Sequence, residues 1–105
     1  MTRLLTDEEI TRQLADLPDW TRDGDSIRSV WTAPDFPTGI RLVTEAADAA
    51  ETMDHHPDID IRWCTVTFAL GAHSASPAGG LTQLDIELAH RISQEATRLR
   101  ARTTD

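Results

Sequence analysis

The chain has 105 residues, enough for one domain over 1–105 and a core small enough that burial against another subunit is a natural supplement. A formal net charge of −8, carried without any lysine, argues against a nucleic-acid partner and against an anionic membrane surface, both of which need clustered basic side chains. No apolar run is long enough to span a bilayer or serve as a signal peptide, so the expected location is cytoplasmic with no membrane partner. The lone Cys64 excludes an internal disulfide and any multi-cysteine zinc site, and its strand-like surroundings predict a buried thiol.

Thr6 and Glu9 have the spacing of a capping box, in which each side chain satisfies a free backbone N–H at a helix start. Ile10, Leu14 and Leu17 supply that helix's apolar stripe, and Pro18 ends it. A turn at Asp23-Gly24-Asp25 then leads to a strand over 26–32, with Ile27 and Trp31 on one face, completing a hairpin. Asp35 is placed to cap the next helix, with Pro37 in its first turn and Ile40, Val43, Ala47 and Ala50 at helical spacing to about Asp54.

His55-His56-Pro57 breaks that helix. Beyond it, Ile59, Ile61 and Trp63 fall on odd positions, whereas Val66, Phe68 and Leu70 fall on even ones. Strand side chains alternate strictly, so the change of phase predicts a tight turn or bulge near Cys64-Thr65. After a loop over 74–80, Thr82 and Asp85 repeat the capping-box spacing, and Leu88, Ala89, Ile92, Ala96 and Leu99 form the last apolar stripe, with a frayed tail from Arg100. The order α-β-β-α-β-β-α predicts an α+β fold of two layers: a four-stranded antiparallel sheet with helices packed on one face. The sheet's other face or an edge is left for a partner subunit.

Three of the four histidines fall where elements stop: His55 and His56 after a helix, His73 after a strand. Imidazole suits proton transfer near neutral pH, although histidines at helix ends also cap free carbonyls. Three imidazoles could in principle hold zinc, but the spacing matches no zinc motif and two consecutive ligands are awkward on one ion, so no metal is expected. Glu51 lies one turn behind His55, close enough to orient or charge an imidazole. Asp85 has two roles open to it, helix cap and occupant of the rim of a buried face. Trp20 is either core or an aromatic wall against a flat heterocycle, and spacing does not choose between them.

The run Ala50-Glu51-Thr52-Met53-Asp54-His55-His56-Pro57-Asp58, followed by Trp63, Val66, Leu70, His73, Gly80-Leu81-Thr82 and Asp85, resembles the pterin-4a-carbinolamine dehydratases, also called 4a-hydroxytetrahydrobiopterin dehydratases. Trp20 and Asp35-Phe36 extend the resemblance to nearly the whole chain. It implies loss of water from a 4a-hydroxytetrahydropterin to give the quinonoid dihydropterin, with no cofactor and no metal. It further implies that His55 and His73 are the general acid/base pair and that His56 serves binding and catalysis. Glu51, Asp54 and Asp85 would orient imidazoles or bind the ring, Trp20 would line the pocket, and the chain would form a homodimer or homotetramer. The chain departs from the family at Ile59, Ala33-Pro34 and Ile40, where aromatic residues are usual, and in a longer loop after His73. Those changes touch pocket shape and leave room for an alternative, a non-catalytic module on the same scaffold that binds a pterin or a protein.

Overall fold

The structure, a computed structural model, describes residues 3–71 and 80–103. The first helix, α1 (Asp7–Leu14), starts at the expected capping box: Glu9 N–H donates to Thr6 Oγ1 at 3.2 Å and Thr6 N–H to Glu9 Oε1 at 2.8 Å. It ends earlier than its apolar stripe predicts. Asp16 and Leu17 make tighter bonds to the carbonyls of Gln13 and Leu14, because the residue before Pro18 is disfavoured in the α region. Leu17 is buried all the same.

The hairpin of β1 (Thr21–Asp23) and β2 (Ser26–Thr32) turns on Gly24-Asp25, with Gly24 at φ +61°, where glycine carries no steric cost. The second helix, α2 (Phe36–Met53), is capped by Asp35, whose carboxylate accepts Thr38 N–H at 2.9 Å. β3 (Asp58–Arg62) and β4 (Thr65–Leu70) form the second hairpin, and α3 (Gln83–Arg98) packs beside α2.

The antiparallel sheet has the order β1-β2-β4-β3. Its inner face is set by register: Ile27 lies opposite Leu70, Ser29 opposite Phe68 and Trp31 opposite Val66. Those six are buried, whereas residues between them on the same strands are half-buried or exposed, so one face is covered and the other open. Leu42 and Ala46 of α2, with Ile86, Leu88, Ala89 and Ile92 of α3, close the core over that face. Each fully buried Leu, Ile or Phe contributes about 1.5–3 kcal/mol. The α+β, two-layer expectation holds.

Further details differ from the sequence reading. α2 buries Gly39, Leu42, Ala46, Ala49 and Ala50, so Ile40 and Ala47 of its expected stripe lie on the exposed side, because the helix meets the sheet and α3 one residue out of phase with that stripe. The turn between β3 and β4 is centred on Trp63-Cys64, one residue earlier than the change of phase suggests, with Arg62 paired to Thr65. Trp63 is therefore off the strand, at φ +53° and 80% exposed, and Cys64 is buried in the turn itself. The sheet also has a fifth strand, β5 (Arg102–Thr103), paired with Trp31 and Thr32 of β2. The tail is not frayed over these residues: Arg100 adopts φ +63°, Ala101 N–H reaches back to Ala96 O at 2.9 Å, and the chain folds onto the sheet beside β2.

Candidate active site

Two helix ends meet at the candidate site. The C-terminus of α2 closes in a Schellman arrangement: His55 N–H donates to Ala50 O at 3.0 Å and Asp54 N–H to Glu51 O at 3.2 Å. The turn requires a left-handed residue, and Asp54 takes it at φ 50°, ψ 45°, a conformation that Asp tolerates better than most side chains. Asp54 thus acts here through its backbone, which turns the chain so that His55 leaves the helix toward α3. Pro57 holds the preceding His56 out of the helical region.

The other end is the start of α3. Asp85 is fully buried, and its Oδ2 accepts Thr82 N–H at 2.8 Å and the Thr82 hydroxyl at 3.3 Å. Its Oδ1 faces His55 Nε2 at 2.5 Å, and the His55 side chain is only 14% exposed. Both roles open to Asp85 are therefore realised together: it caps the helix and grips an imidazole. Next in the chain, His56 Nε2 meets Glu51 Oε2 at 2.9 Å, but in water, with side chains 59% and 78% exposed. One corner of the molecule so carries two imidazole–carboxylate pairs of opposite burial.

His73 lies outside the described residues. The segment that bears it leaves the described chain at Gly71 and rejoins it at Gly80, and these two ends are bonded, Gly80 N–H to Gly71 O at 3.1 Å. Gly71, at φ +109°, admits no other residue: a Cβ there would stand 2.6 Å from Asp25 O and 2.8 Å from Leu81 Cδ2. Gly80 leads directly into Leu81-Thr82, where Leu5 N–H bonds Leu81 O at 2.8 Å. Both ends of the His73 segment are thereby anchored next to the cap that holds Asp85.

Trp20 is not brought to this corner. Its ring is 5% exposed within the core and its Nε1–H donates to Ser93 Oγ at 2.8 Å, two turns along α3 from Asp85, or ~12 Å at 1.5 Å per residue. The buried indole needed a hydrogen-bond acceptor, and Ser93, which spacing alone gave no reason to single out, supplies it. His90, half-buried on α3, borders a shallow surface groove shared with Asp16, Leu17, Pro18, Asp19 and Ser93. Among the described residues no three His, Cys, Asp or Glu side chains are grouped to hold a metal ion.

The comparisons with known proteins bear on most of the chain. Residues 3–95 match the family model described as pterin 4 alpha carbinolamine dehydratase. The chain belongs to that family. A Nocardia farcinica protein named for the same pterin-4-alpha-carbinolamine dehydratase activity is 57% identical over 95 residues, covering 90% of this chain and 97% of the relative. A like-named protein of Mycobacteroides abscessus is 52% identical, over 90% of this chain and 98% of its own length. The crystal structure of a transcriptional coactivator/pterin dehydratase from Brucella melitensis superposes with a TM-score of 0.82 at 30% identity, covering 90% of this chain and 99% of that one. Members of this dehydratase family are hydro-lyases acting on pterins, and the present chain carries the family's fold over 90% of its length. None of its helices in the described residues is long and apolar enough to cross a membrane.

Proposed function

We propose that the protein removes water from a 4a-hydroxytetrahydropterin, giving the quinonoid dihydropterin, by histidine acid/base catalysis without a metal or organic cofactor. The observation that carries this reading is the pairing of His55 with the fully buried Asp85 beside a second, exposed pair, His56–Glu51. The 4a-hydroxyl leaves only when protonated, and a ring nitrogen must lose a proton as the new C=N bond forms. Imidazoles held at fixed positions meet both needs, each contributing ~10²–10⁴-fold. His55 and His73 serve as the acid/base pair, and His56, with its solvent-facing ring, binds and assists. Asp85 and Glu51 orient the two imidazoles, while Asp54 sets the turn that delivers them and binds the ring system.

Assembly into a homodimer or homotetramer is part of the same reading. It is supported by large apolar side chains left in water, Phe36, Ile40 and Trp63 among them, and by the place of β3 at the end of the sheet order among the described residues. Sedimentation over a range of concentrations checks it, and a monomer throughout would exclude it. The cytoplasm, where pterin-dependent hydroxylations would regenerate the substrate, is the proposed location.

The catalytic reading is tested by following quinonoid dihydropterin formation, with and without a chelator, in the wild type and in His55→Ala and His56→Ala. Chelator-insensitive turnover is expected, falling at least ~10²-fold in each variant. A wild type no faster than the spontaneous reaction would leave a non-catalytic binding module in its place. Loss of activity to the chelator would return a metal to the site.

A further inference from the structure

We propose that the N-terminal cap of α3 fixes the tautomer of His55, so that this histidine exchanges its proton through Nδ1 and the Thr82 backbone amide is the group that positions it. The inference rests on the acid/base role given above to His55 and adds the atom through which it acts.

A backbone N–H can only donate. Thr82 N–H is directed at Asp85 Oδ2 at 2.8 Å, so that oxygen is held as an acceptor and the plane of the carboxyl group is set. The remaining oxygen, Oδ1, is then the one that faces His55 Nε2, at 2.5 Å. An ionised carboxylate offers acceptors alone, so the hydrogen of this contact belongs to Nε2. A neutral imidazole has one N–H. With it on Nε2, the lone pair on Nδ1 is left to take a proton, and the imidazolium returns it from the same atom. Asp85 is wholly enclosed and cannot rotate into solvent for a different arrangement. The main chain that carries the ring is held as well, because the His55 backbone N–H is tied to Ala50 O at the close of α2.

This arrangement makes an inverted prediction for Asp85→Asn. A carboxamide has one acceptor oxygen and one NH₂ group. Thr82 N–H demands the oxygen, which turns the NH₂ toward His55 Nε2. Nε2 must then accept, its hydrogen moves to Nδ1, and the working atom is blocked. Asp85→Ala acts differently: it removes the cap acceptor but leaves His55 free to sample both tautomers. Stability and turnover should therefore rank the two variants in opposite orders, which a purely structural role for Asp85 would not produce.

The test combines ¹⁵N NMR of the imidazole nitrogens at alkaline pH, where the ring is neutral, with thermal unfolding and turnover of wild type, Asp85→Asn and Asp85→Ala. Signals are assigned by their loss in His55→Gln. The expected result is an Nε2–H tautomer in the wild type and an Nδ1–H tautomer in Asp85→Asn. That variant should keep a midpoint closer to wild type than Asp85→Ala, yet turn over ~10²–10⁴-fold more slowly than wild type and more slowly than the alanine variant. An Nδ1–H tautomer in the wild type, or an unchanged tautomer in Asp85→Asn, overturns the proposal, and the wild-type spectrum decides by itself should the asparagine variant not fold. Full turnover in His55→Gln would instead remove the acid/base role while the tautomer assignment still stood or fell on the spectra.

Discussion

The two capping boxes of this molecule are written almost identically, Thr6 with Glu9 and Thr82 with Asp85, yet they do different work. At α1 the carboxylate stands at the surface, where Glu9 accepts from Thr6 N–H and takes Arg3 as a further partner, at 2.6 Å from Nη2. The Arg3 side chain, and then the Thr6 N–H, hold the Glu9 carboxyl down to a pKa of about 2. At α3 the carboxylate is sealed off, and its further partner is His55. A cap bond in water is exchanged against hydration, whereas a buried one leaves an unsatisfied group behind when broken. The same local motif is thus a fastening on one helix and a component of the proposed site on the other. What separates them is the element that approaches from outside: an N-terminal arginine in one case, the broken end of α2 in the other.

Four substitutions bear on that contrast, taken from the largest effect down. Asp85→Ala strips the Thr82 amide and His55 of their acceptor together, which should cost about 1–3 kcal/mol of stability and lower the unfolding midpoint by several degrees. Turnover should fall along with it, though by less than in Asp85→Asn. An alanine variant that kept both midpoint and rate would make the two boxes equivalent after all. Glu51→Gln removes the charge from the exposed pair; the effect should stay below ~1 kcal/mol, less than ~5-fold in rate, because a solvated ion pair contributes little. A loss as large as that at Asp85 would show that burial is not the deciding difference.

Glu9→Gln should leave turnover unchanged and alter only the acid limb of the stability curve. The folded-state pKa is depressed, so the stabilisation is present above the ordinary carboxylate range and lost as pH falls toward about 2. Urea midpoints recorded between neutrality and pH 2 should accordingly decline less steeply in the variant than in the wild type. The smallest effect belongs to a helix end: Arg100→Gly relieves a left-handed residue and should raise stability by roughly 0.5 kcal/mol once the added freedom of the unfolded chain is subtracted. A decrease would mean that the Arg100 side chain contributes more than its backbone costs.

Much of the frame is readable in the residues because local chemistry agrees with the final fold. Asp35 caps α2, the first hairpin turns at Gly24, and the change of phase between Ile61 and Val66 announces a turn. The missed features share a physical cause. Asp54, Trp63 and Arg100 all adopt positive φ without being glycine, so composition signals neither the kind of turn nor its position. For Arg100 that hid β5 altogether, since two residues are too few to show a period. At the site, Asp85 and His55 are 30 residues apart, and the packing of α3 against α2 brings them together. Capping-box spacing is blind to burial, so it could not say which of the two boxes belonged to the proposed chemistry. Trp20 shows the reverse: a residue that resemblance would send to the pocket is retained by the core through Ser93.

The turn at Trp63-Cys64 also gives the molecule an optical property. Of its three tryptophans, Trp20 and Trp31 are 5% and 2% exposed, whereas Trp63 stands 80% in solvent. The intrinsic fluorescence is therefore a sum of two unlike signals, a blue-shifted pair shielded from a dissolved quencher and a red-shifted one that collides with it freely. A Trp63→Phe protein would report on the core alone. In the native sequence, the quenchable fraction follows whatever comes to cover the tip of the β3–β4 hairpin.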